Sequence, residues 1–195
     1  MSQSSQSDQA IATDDQLLAR FTQGDRLALE EIFRRYRQAA FRVAYRLLGN
    51  EADALDAVQE GFIKALSHLQ GFQGRSSFKT WLLRVVSNAA LDLGRSRGRR
   101  EAVRLDALPG ALHQQLLCPE DPHQALHREE LSQLLTEALD TLSPIQRQTF
   151  VLYADAQLSY REVAEATGAS LGTVMSRLYY ARQKLRAYLI QRTAL

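Results

Sequence analysis

The sequence contains almost nothing that could cross-link the chain or anchor it in a membrane. It has one cysteine, Cys118, among 195 residues, which excludes an internal disulfide and favours a reducing compartment. No apolar run approaches the ~20 residues that span a bilayer, so we expect no membrane insertion. Residues 1–15 are polar and acidic and lack the features of a secretory signal. We therefore expect a disordered tail at residues 1–13 and a cytoplasmic protein.

Patterns typical of enzymes and metal sites are also missing. There is no glycine-rich loop of the kind that binds phosphate, and no nucleophile pattern accompanies the few histidines. Three histidines, His113, His123 and His127, surround Cys118, but their spacing matches no usual structural zinc site. The sequence therefore predicts no catalytic residue, no metal and no cofactor, and an enzyme is the weakest of the function classes considered.

Alternation with period two, which marks β-strands, is absent over any useful length, whereas apolar residues recur at helical spacing. Four amphipathic helices are expected in the first half: a short one around residues 17–21, then residues 27–48, 51–69 and 77–97. Gly49-Asn50 is a typical stop between the second and third. Phe33 and Leu55 belong to the expected apolar stripes. The first half is therefore predicted to be an all-α bundle.

A break in the helical pattern divides the chain. Residues 98–127 contain Pro109, Gly110, Pro119 and Pro122 and show no sustained apolar stripe, which is typical of a linker. A segment of this length without structure is unusual inside one compact domain. The predicted fold is all-α, with two small helical domains at residues 14–97 and 128–195 joined by a flexible acidic linker at residues 98–127.

The net charge is only +2, but positively and negatively charged residues are concentrated in different segments of the chain. Residues 72–104 and residues 157–192 are rich in arginine and lysine, whereas residues 105–155 are acidic. Two basic zones suggest two surfaces that bind a polyanion, separated by a connector that avoids or imitates one. Solvated helix faces remain the alternative explanation.

The last third carries clear helix punctuation. Ser143-Pro144 suits an N-cap followed by proline at the first helical position, and Ser159–Glu162 forms a capping-box pattern. Gly168 supplies a turn, and Ser170 can cap a long final helix. Together with the apolar Val174, this spacing predicts a helix-turn-helix over residues 159–185. A pair of packed helices without a DNA role is the alternative.

The outward side of the second helix of this motif carries polar side chains suited to DNA. Hydroxyl groups near a helix N-terminus suit phosphate, and Arg177 is the best candidate for a bidentate contact with guanine. The predicted DNA-contacting residues of the motif are Arg161, Ser170, Thr173, Ser176, Arg177, Tyr180 and Lys184.

Three segments of the chain carry a family resemblance: DAVQEGFIKAL at residues 56–66, FQGRSSFKTWLLRVVSNAALDLGRSR at residues 72–97, and the last third from residue 139. In that order they resemble the extracytoplasmic-function sigma factors of bacterial RNA polymerase. The resemblance implies a factor that directs core RNA polymerase to specific promoters and promotes melting of promoter DNA. It implies that the helix-turn-helix binds the −35 element.

The resemblance also implies roles for residues in the first domain. Asp56, Gln59 and Glu60 would bind core polymerase, while Phe62 would face the bundle core. Gly61 is awkward inside this helix, because glycine costs up to ~1 kcal/mol relative to alanine there; either the bundle holds the helix or a partner approaches closely. The residues expected at the −10 element are Phe72, Arg75, Ser77, Lys79, Trp81, Arg84, Asn88, Asp92 and Arg95.

Aromatic side chains interleaved with cations suit single-stranded DNA, because each stacked base contributes ~1–3 kcal/mol. Phe78 is expected in the core instead, and Trp81 lies on the same apolar stripe. The resemblance further implies an anti-sigma partner, and it implies that the acidic linker enters the polymerase. A duplex-binding regulator whose first half is a sensor or dimerisation bundle is the alternative, but such a protein would not need the aromatic and basic block at residues 72–97.

Overall fold

The computed structural model describes residues 12–72, 74, 76–103 and 122–193, and this part of the chain is helical and contains no strand. The prediction of an all-α fold is confirmed. The α-helices within these residues are α1 (Asp14–Thr22), α2 (Arg26–Leu48), α3 (Glu51–Ser67), α4 (Phe78–Val103), α5 (Pro122–Asp140), α6 (Pro144–Ala154), α7 (Tyr160–Thr167) and α8 (Leu171–Thr193), and a 3₁₀ turn occupies Leu69–Gly71.

Contacts divide the chain into two compact units, one ending at Arg37 and the other beginning at Gln38. In the first unit, α1 begins with a capping box in which Thr13 and Gln16 satisfy each other's backbone amides. Asp14 then accepts hydrogen bonds from Arg35, at 3.1 Å, and from the Tyr36 hydroxyl. These contacts fix α1 against the first half of α2.

The N-terminal part of the second unit is built around the antiparallel neighbours α3 and α4, which a short connection joins. Both helices bury small or branched side chains at helical spacing, and Phe62 and Phe78 are buried as predicted. Burial of apolar area of this kind contributes about 25 cal/mol per Å². The buried residues of the pair include Ala54, Ala57, Val58, Phe62, Ala65, Phe78, Leu82, Leu83, Val86, Ala89 and Ala90.

Gly61 lies at a close approach of α3 and α4. A Cβ built on Gly61 would stand 2.6 Å from Cγ2 and 3.0 Å from Cα of Val86 in α4. The second of these atoms is backbone and cannot turn aside. Glycine at this position therefore allows close helix packing within the bundle, and this accounts for a residue that is unfavourable by helix propensity alone.

Two of the expected apolar stripes are narrower than predicted. Phe33 is 43% exposed and Leu55 is 50% exposed, so neither belongs to the buried core. Both lie at the edge of their helix's apolar face, where spacing alone cannot distinguish a core position from a flanking one.

The helices flanking the predicted linker are longer than expected. α4 continues to Val103, and α5 already begins at Pro122, because proline is well tolerated in the first turn of a helix. Residues 104–121 of the predicted linker, with Cys118, lie outside the described residues. The domain boundaries at residues 97 and 128 remain predictions.

The C-terminal helices begin and end where their capping residues predict. Ser143 caps α6 with Pro144 in the first turn, Ser159 caps α7, and Gly168 ends α7 in the left-handed region at φ 65°. The Ser170 hydroxyl accepts from the Thr173 amide at 3.1 Å and so caps α8. The helices share a core of Leu139, Leu152, Leu158, Val163, Val174, Leu178, Ala181 and Leu185.

Candidate nucleic-acid interface

One outward face of α3 carries the side chains predicted to bind a protein partner. Asn50 caps this helix by accepting from the Asp53 amide at 2.8 Å. Asp56, Gln59 and Glu60 are all exposed, and their spacing places them on the same side of the helix. Glu60 forms an ion pair with Lys64 at 2.5 Å. The face is therefore preformed and accessible.

The same face of α3 has an apolar part, which was not predicted. Leu55 and Ile63 are 50% and 59% exposed, and they lie one turn before and one turn after Gln59. Exposed leucine and isoleucine beside charged groups are typical of a protein-binding surface. Leu55 was assigned to the core stripe, and the four-residue spacing of residues 55, 59 and 63 is the sequence signal that could have identified this surface.

An aromatic cluster lies at the start of α4. The ring centroids of Phe72 and Trp81 are 5.3 Å apart, and that of Phe78 lies 5.9 Å from Phe72 and 5.8 Å from Trp81. Phe78 is buried, whereas Phe72 and Trp81 are only partly buried. Trp81 packs on Phe78 and also lines an open cavity with Arg84, and its use as a stacking platform remains a prediction.

Polar and charged side chains continue from Trp81 along one stripe of α4. Arg84, Asn88, Asp92 and Arg95 are all exposed and follow each other at three- and four-residue steps. Asp92 accepts from Arg95 at 3.0 Å, so one of these cations is already partly neutralised. Ser77 precedes α4, and its hydroxyl accepts from the Thr80 amide at 3.1 Å. Lys79 is half-buried in the first turn of α4, and Arg75 lies outside the described residues.

Helices α7 and α8 form the predicted helix-turn-helix. Ser176, Tyr180 and Lys184 are exposed on α8, and Thr173 and Arg177 on the same side are half-exposed. Between Leu171 and Thr193 the sequence contains arginine and lysine but no acidic residue. An exposed helix of this charge is suited to DNA, because phosphate contacts supply most non-specific affinity.

Arg182 is a cation of α8 with a structural role instead. Its guanidinium lies 5.2 Å from the centre of the Tyr153 ring on α6, and its hydrogen bond to Tyr160 lowers the pKa of that phenol. Arg182 thereby ties α8 to α6 and to α7. Arg161, on α7, is exposed.

Two further apolar side chains on α8 were also missed. Met175 and Tyr179 are 53% and 58% exposed and lie one turn apart, following Leu171 at the same interval. Their four-residue spacing is visible in the sequence, but it runs beside the buried stripe of Val174 and Leu178 and was overlooked.

Comparison with protein families matches both halves of the chain. A family described as Sigma-70 region 2 matches residues 32–100, and one described as Sigma-70, region 4 matches residues 132–185. The RNA polymerase sigma-H factor of Pseudomonas aeruginosa is 31% identical over 88% of this chain and 91% of its own length. The ECF RNA polymerase sigma-E factor of Escherichia coli is 32% identical over 89% and 92%.

The chain belongs to the extracytoplasmic-function sigma factors. The ECF RNA polymerase sigma factor SigE of Mycolicibacterium smegmatis is 38% identical over 88% of this chain, but the match spans only 66% of that relative's length. The predicted family is confirmed, and with it the function of a sigma factor, which is promoter-specific initiation of transcription by RNA polymerase.

Solved structures similar to this sigma factor agree with its assignment to the family. CnrH in complex with the cytosolic domain of CnrY is 28% identical, with a TM-score of 0.68 over 91% of this chain and 97% of that one. The sigma factor RpoE of Bartonella quintana, in complex with the anti-sigma factor NepR, is 26% identical, with a TM-score of 0.65 over 83% and 96%.

None of the helices that the structure describes is long and apolar enough to cross a membrane. Among the same residues, no group of histidine, cysteine and carboxylate side chains could hold a metal ion. His113 and Cys118 lie outside the described residues, and of the side chains of His123 and His127 nothing is described.

Proposed function

We propose that this sigma factor uses three separate surfaces to bring RNA polymerase to a promoter, as parts of an N-terminal domain at residues 14–97 and a C-terminal domain at residues 128–195. The observation that carries the proposal is the presence, in one chain, of a helix-turn-helix and of an aromatic and basic stripe on α4. A protein that binds duplex DNA alone needs only the first of these. A factor that also holds a melted strand needs both.

The outer face of α3 is the proposed docking site for core polymerase. Asp56, Gln59 and Glu60 would form polar contacts that fix the position of α3 on the polymerase. Leu55 and Ile63 would bury apolar area at the interface. Such a combination resembles the anatomy of a protein interface, with an apolar centre and a polar rim.

The stripe on α4 is the proposed binding site for the −10 strand. Trp81 and Phe72 offer ring faces for stacking, whereas Lys79, Arg84 and Arg95 offer charge for the backbone. Asn88 and Asp92 lie between the cations. The Asn88 amide can donate to and accept from base edges, whereas the Asp92 carboxylate can only accept. Ser77 is at the start of the stripe, and Arg75 precedes it in the sequence.

The outer face of α8 is the proposed binding site for the −35 element in the major groove. Arg177 is the candidate for bidentate contact with guanine. Thr173, Ser176, Tyr180 and Lys184 flank it, with Ser170 and Arg161 nearer the turn.

The same proposal has consequences for a further protein partner of the sigma factor, for its catalytic activity and for the compartment in which it acts. The two solved neighbours are bound to CnrY and to the anti-sigma factor NepR, which supports an anti-sigma factor as a partner here. The proposed surfaces bind and position macromolecules, so we assign the sigma factor no catalytic activity of its own. Its site of action is the cytoplasm, where polymerase and promoter DNA meet.

Reconstitution with core polymerase tests this proposal. The purified sigma factor is expected to co-elute with core RNA polymerase and to direct run-off transcription from a limited set of start sites on genomic DNA. Polymerase without the factor is the control. Failure of the folded protein to bind polymerase would overturn the proposal, whereas polymerase-independent binding to a duplex operator would favour the alternative of a duplex-binding regulator.

Arg177→Ala tests the proposed −35 contact. We expect the holoenzyme to lose about 1–3 kcal/mol of discrimination at one base pair of the −35 duplex, seen as relaxed preference in a binding assay against all single base-pair variants. Arg186→Ala removes the same charge from an exposed position about two and a half turns later and should weaken all sequences slightly and equally. An equal loss on every sequence with Arg177→Ala would show a phosphate contact instead.

A further inference from the structure

The buried side of α8 holds this helix in place but restricts its rotation only weakly. The buried side chains are all aliphatic: Val174, Leu178, Ala181 and Leu185. Apolar contacts are non-directional, so they limit the rotation of a helix less sharply than hydrogen bonds do. Directional contacts on the flanks of α8 are therefore needed to fix the angle at which its outer face is presented.

Arg182 makes such contacts on one flank of α8. Its Cζ atom lies 5.2 Å from the centre of the Tyr153 ring of α6, and its guanidinium donates a hydrogen bond to the Tyr160 hydroxyl of α7. The two tyrosine rings also pack on each other, with centroids 5.2 Å apart and an interplanar angle of 39°. One guanidinium thus binds an aromatic pair to which two helices contribute.

The two tyrosines lie on either side of the turn between α6 and α7. Tyr153 is in the last turn of α6, and Tyr160 is the first residue of α7. Within the turn, Gln157 has a left-handed backbone, with φ 57°, which a residue other than glycine keeps only where the surrounding structure holds it. Arg182 therefore ties α8 to a part of the domain whose own conformation is closely specified.

Arg182 does not lie on the side of α8 from which Arg177 projects. Five residues separate the two, which places their side chains about 140° apart around the helix axis. Lys184, seven residues after Arg177, returns to within about 20° of it. To reach the bases on that side, the Arg182 guanidinium would have to leave both tyrosines.

Hydrogen bonds to base edges tolerate little movement of the helix that carries them. A rotation of α8 by about 10° moves an atom about 6 Å from the helix axis by about 1 Å. The distances between donor and acceptor in good hydrogen bonds span only about 0.5 Å. A bidentate contact from Arg177 to guanine would therefore be weakened by a rotation that leaves the aliphatic packing of α8 largely unchanged.

We propose that Arg182 is a positioning residue, which fixes the rotation of α8 through Tyr153 and Tyr160 and so sets the sequence specificity of −35 binding without contacting DNA. The inference rests on the proposed function of α8. Arg177 reads a base pair, and Arg182 holds the helix at the angle from which it is read. Loss of Arg182 therefore affects every base-reading side chain of α8 together, whereas loss of Arg177 affects one base pair.

The specificity profile of the holoenzyme tests this role. Arg182→Ala and the unaltered sigma factor, each with core polymerase, are titrated with the −35 duplex of a promoter mapped by the run-off experiment and with all its single base-pair variants. We expect discrimination against the variants to fall at least about fivefold at several base pairs. Affinity for an unrelated duplex and its dependence on salt should stay unchanged, because no phosphate contact is lost.

A phosphate contact by Arg182 would give a different pattern. Binding to all sequences would weaken equally, and the slope of log affinity against log salt concentration would decrease by about 1. That pattern overturns the proposal, and so does a specificity profile that Arg182→Ala leaves unchanged.

Two matched variants separate positioning from the loss of a charge and from the loss of a helix contact. Arg186→Ala removes the same charge from an exposed position one turn later. Tyr188→Phe removes a hydroxyl that donates to Glu137 of α5 at 2.8 Å, so it also breaks a contact between α8 and another helix, but nearer the end of α8. Both should keep the discrimination within about twofold of the unaltered protein. If Tyr188→Phe lowers it as much as Arg182→Ala does, the proposal is wrong.

A double-mutant cycle tests whether Arg182 acts through Tyr160. Tyr160→Phe keeps the ring on Tyr153 and removes the hydroxyl, so it should lower the discrimination about two- to threefold. If the two residues act as a unit, Arg182→Ala/Tyr160→Phe should discriminate no worse than Arg182→Ala alone. Losses that multiply show independent roles and overturn the proposal.

The milder tyrosine variants keep the test decisive if thermal unfolding shows that Arg182→Ala does not fold. Tyr160→Phe and Tyr188→Phe each remove one hydroxyl that ties α8 to a neighbouring helix. A loss of discrimination in Tyr160→Phe alone supports the proposal, and equal discrimination by the two variants overturns it.

The two proposals fail in different ways. If the holoenzyme with the unaltered sigma factor binds all −35 variants equally, α8 does not read this element, and the proposed function of that surface is wrong. If it discriminates, and Arg182→Ala discriminates equally well, only the positioning role is wrong.

Discussion

Gly61→Ala is expected to destabilise the sigma factor even though alanine is the better helix former. The added Cβ would stand 2.6 Å from Cγ2 and 3.0 Å from Cα of Val86, so α3 and α4 must separate. Overpacking of this kind costs about 1–3 kcal/mol, against a gain in helix propensity of up to ~1 kcal/mol. We expect the free energy of unfolding to fall by about 1–2 kcal/mol for alanine and about 3 kcal/mol for valine, measured by urea denaturation.

Gly94→Ala is the matched control in α4. Its Cβ would meet only Leu48 Cδ2, at 3.5 Å, so the gain in helix propensity should prevail and the free energy of unfolding should rise by up to about 1 kcal/mol. Val86→Ala combined with Gly61→Ala should cost less than the sum of the two single changes, because it removes the nearer clash. Equal stability of Gly61→Ala and Gly94→Ala would show that the two helices separate without cost.

Removal of the polar docking face on α3 is expected to have the largest functional effect. Asp56→Ala/Gln59→Ala/Glu60→Ala should weaken binding to core polymerase at least about a hundredfold, since a few central residues carry most of the energy of an interface. The thermal stability should change little, because all three side chains are exposed. Competition against the unaltered factor for a limiting amount of polymerase measures the loss directly.

A second triple variant controls for the loss of polar surface. Asp15, Glu30 and Gln38 are exposed residues of the same three types, located on α1 and α2. Their joint replacement by alanine should leave polymerase binding within about twofold of the unaltered protein. If both triple variants bind core polymerase equally well, α3 is not the docking helix.

Much of the fold is encoded locally and was predictable for that reason. The capping boxes at Ser143 and Ser159, the turn at Gly168 and the cap at Ser170 each depend on residues within three or four positions of one another. Where such short-range hydrogen bonds set a helix terminus, the sequence predicts the residue at which the helix begins or ends. The two basic zones were also predictable, because the charge of a segment depends only on its own residues.

Contacts between distant parts of the chain were not predictable. Glu162 forms the capping box that its spacing predicts, but nothing in its neighbourhood predicts a bond to Thr80, 82 residues away. In the same way, Gly61 could be recognised as unusual, but its neighbour Val86 could not be named. The exposed Leu55 shows a second reason for failure. An apolar residue at the edge of a helical stripe can be buried in the core or exposed at an interface, and the spacing in the sequence is the same in both cases.

The hydrogen bonds of Glu162 have a consequence for how the sigma factor can move. One carboxylate oxygen accepts from the amide and hydroxyl of Ser159, both at 2.8 Å, and the other accepts from Thr80. Release of Thr80 therefore leaves the cap of α7 intact. Any movement of the helix-turn-helix relative to α4 can therefore leave the N-terminal turn of α7 folded.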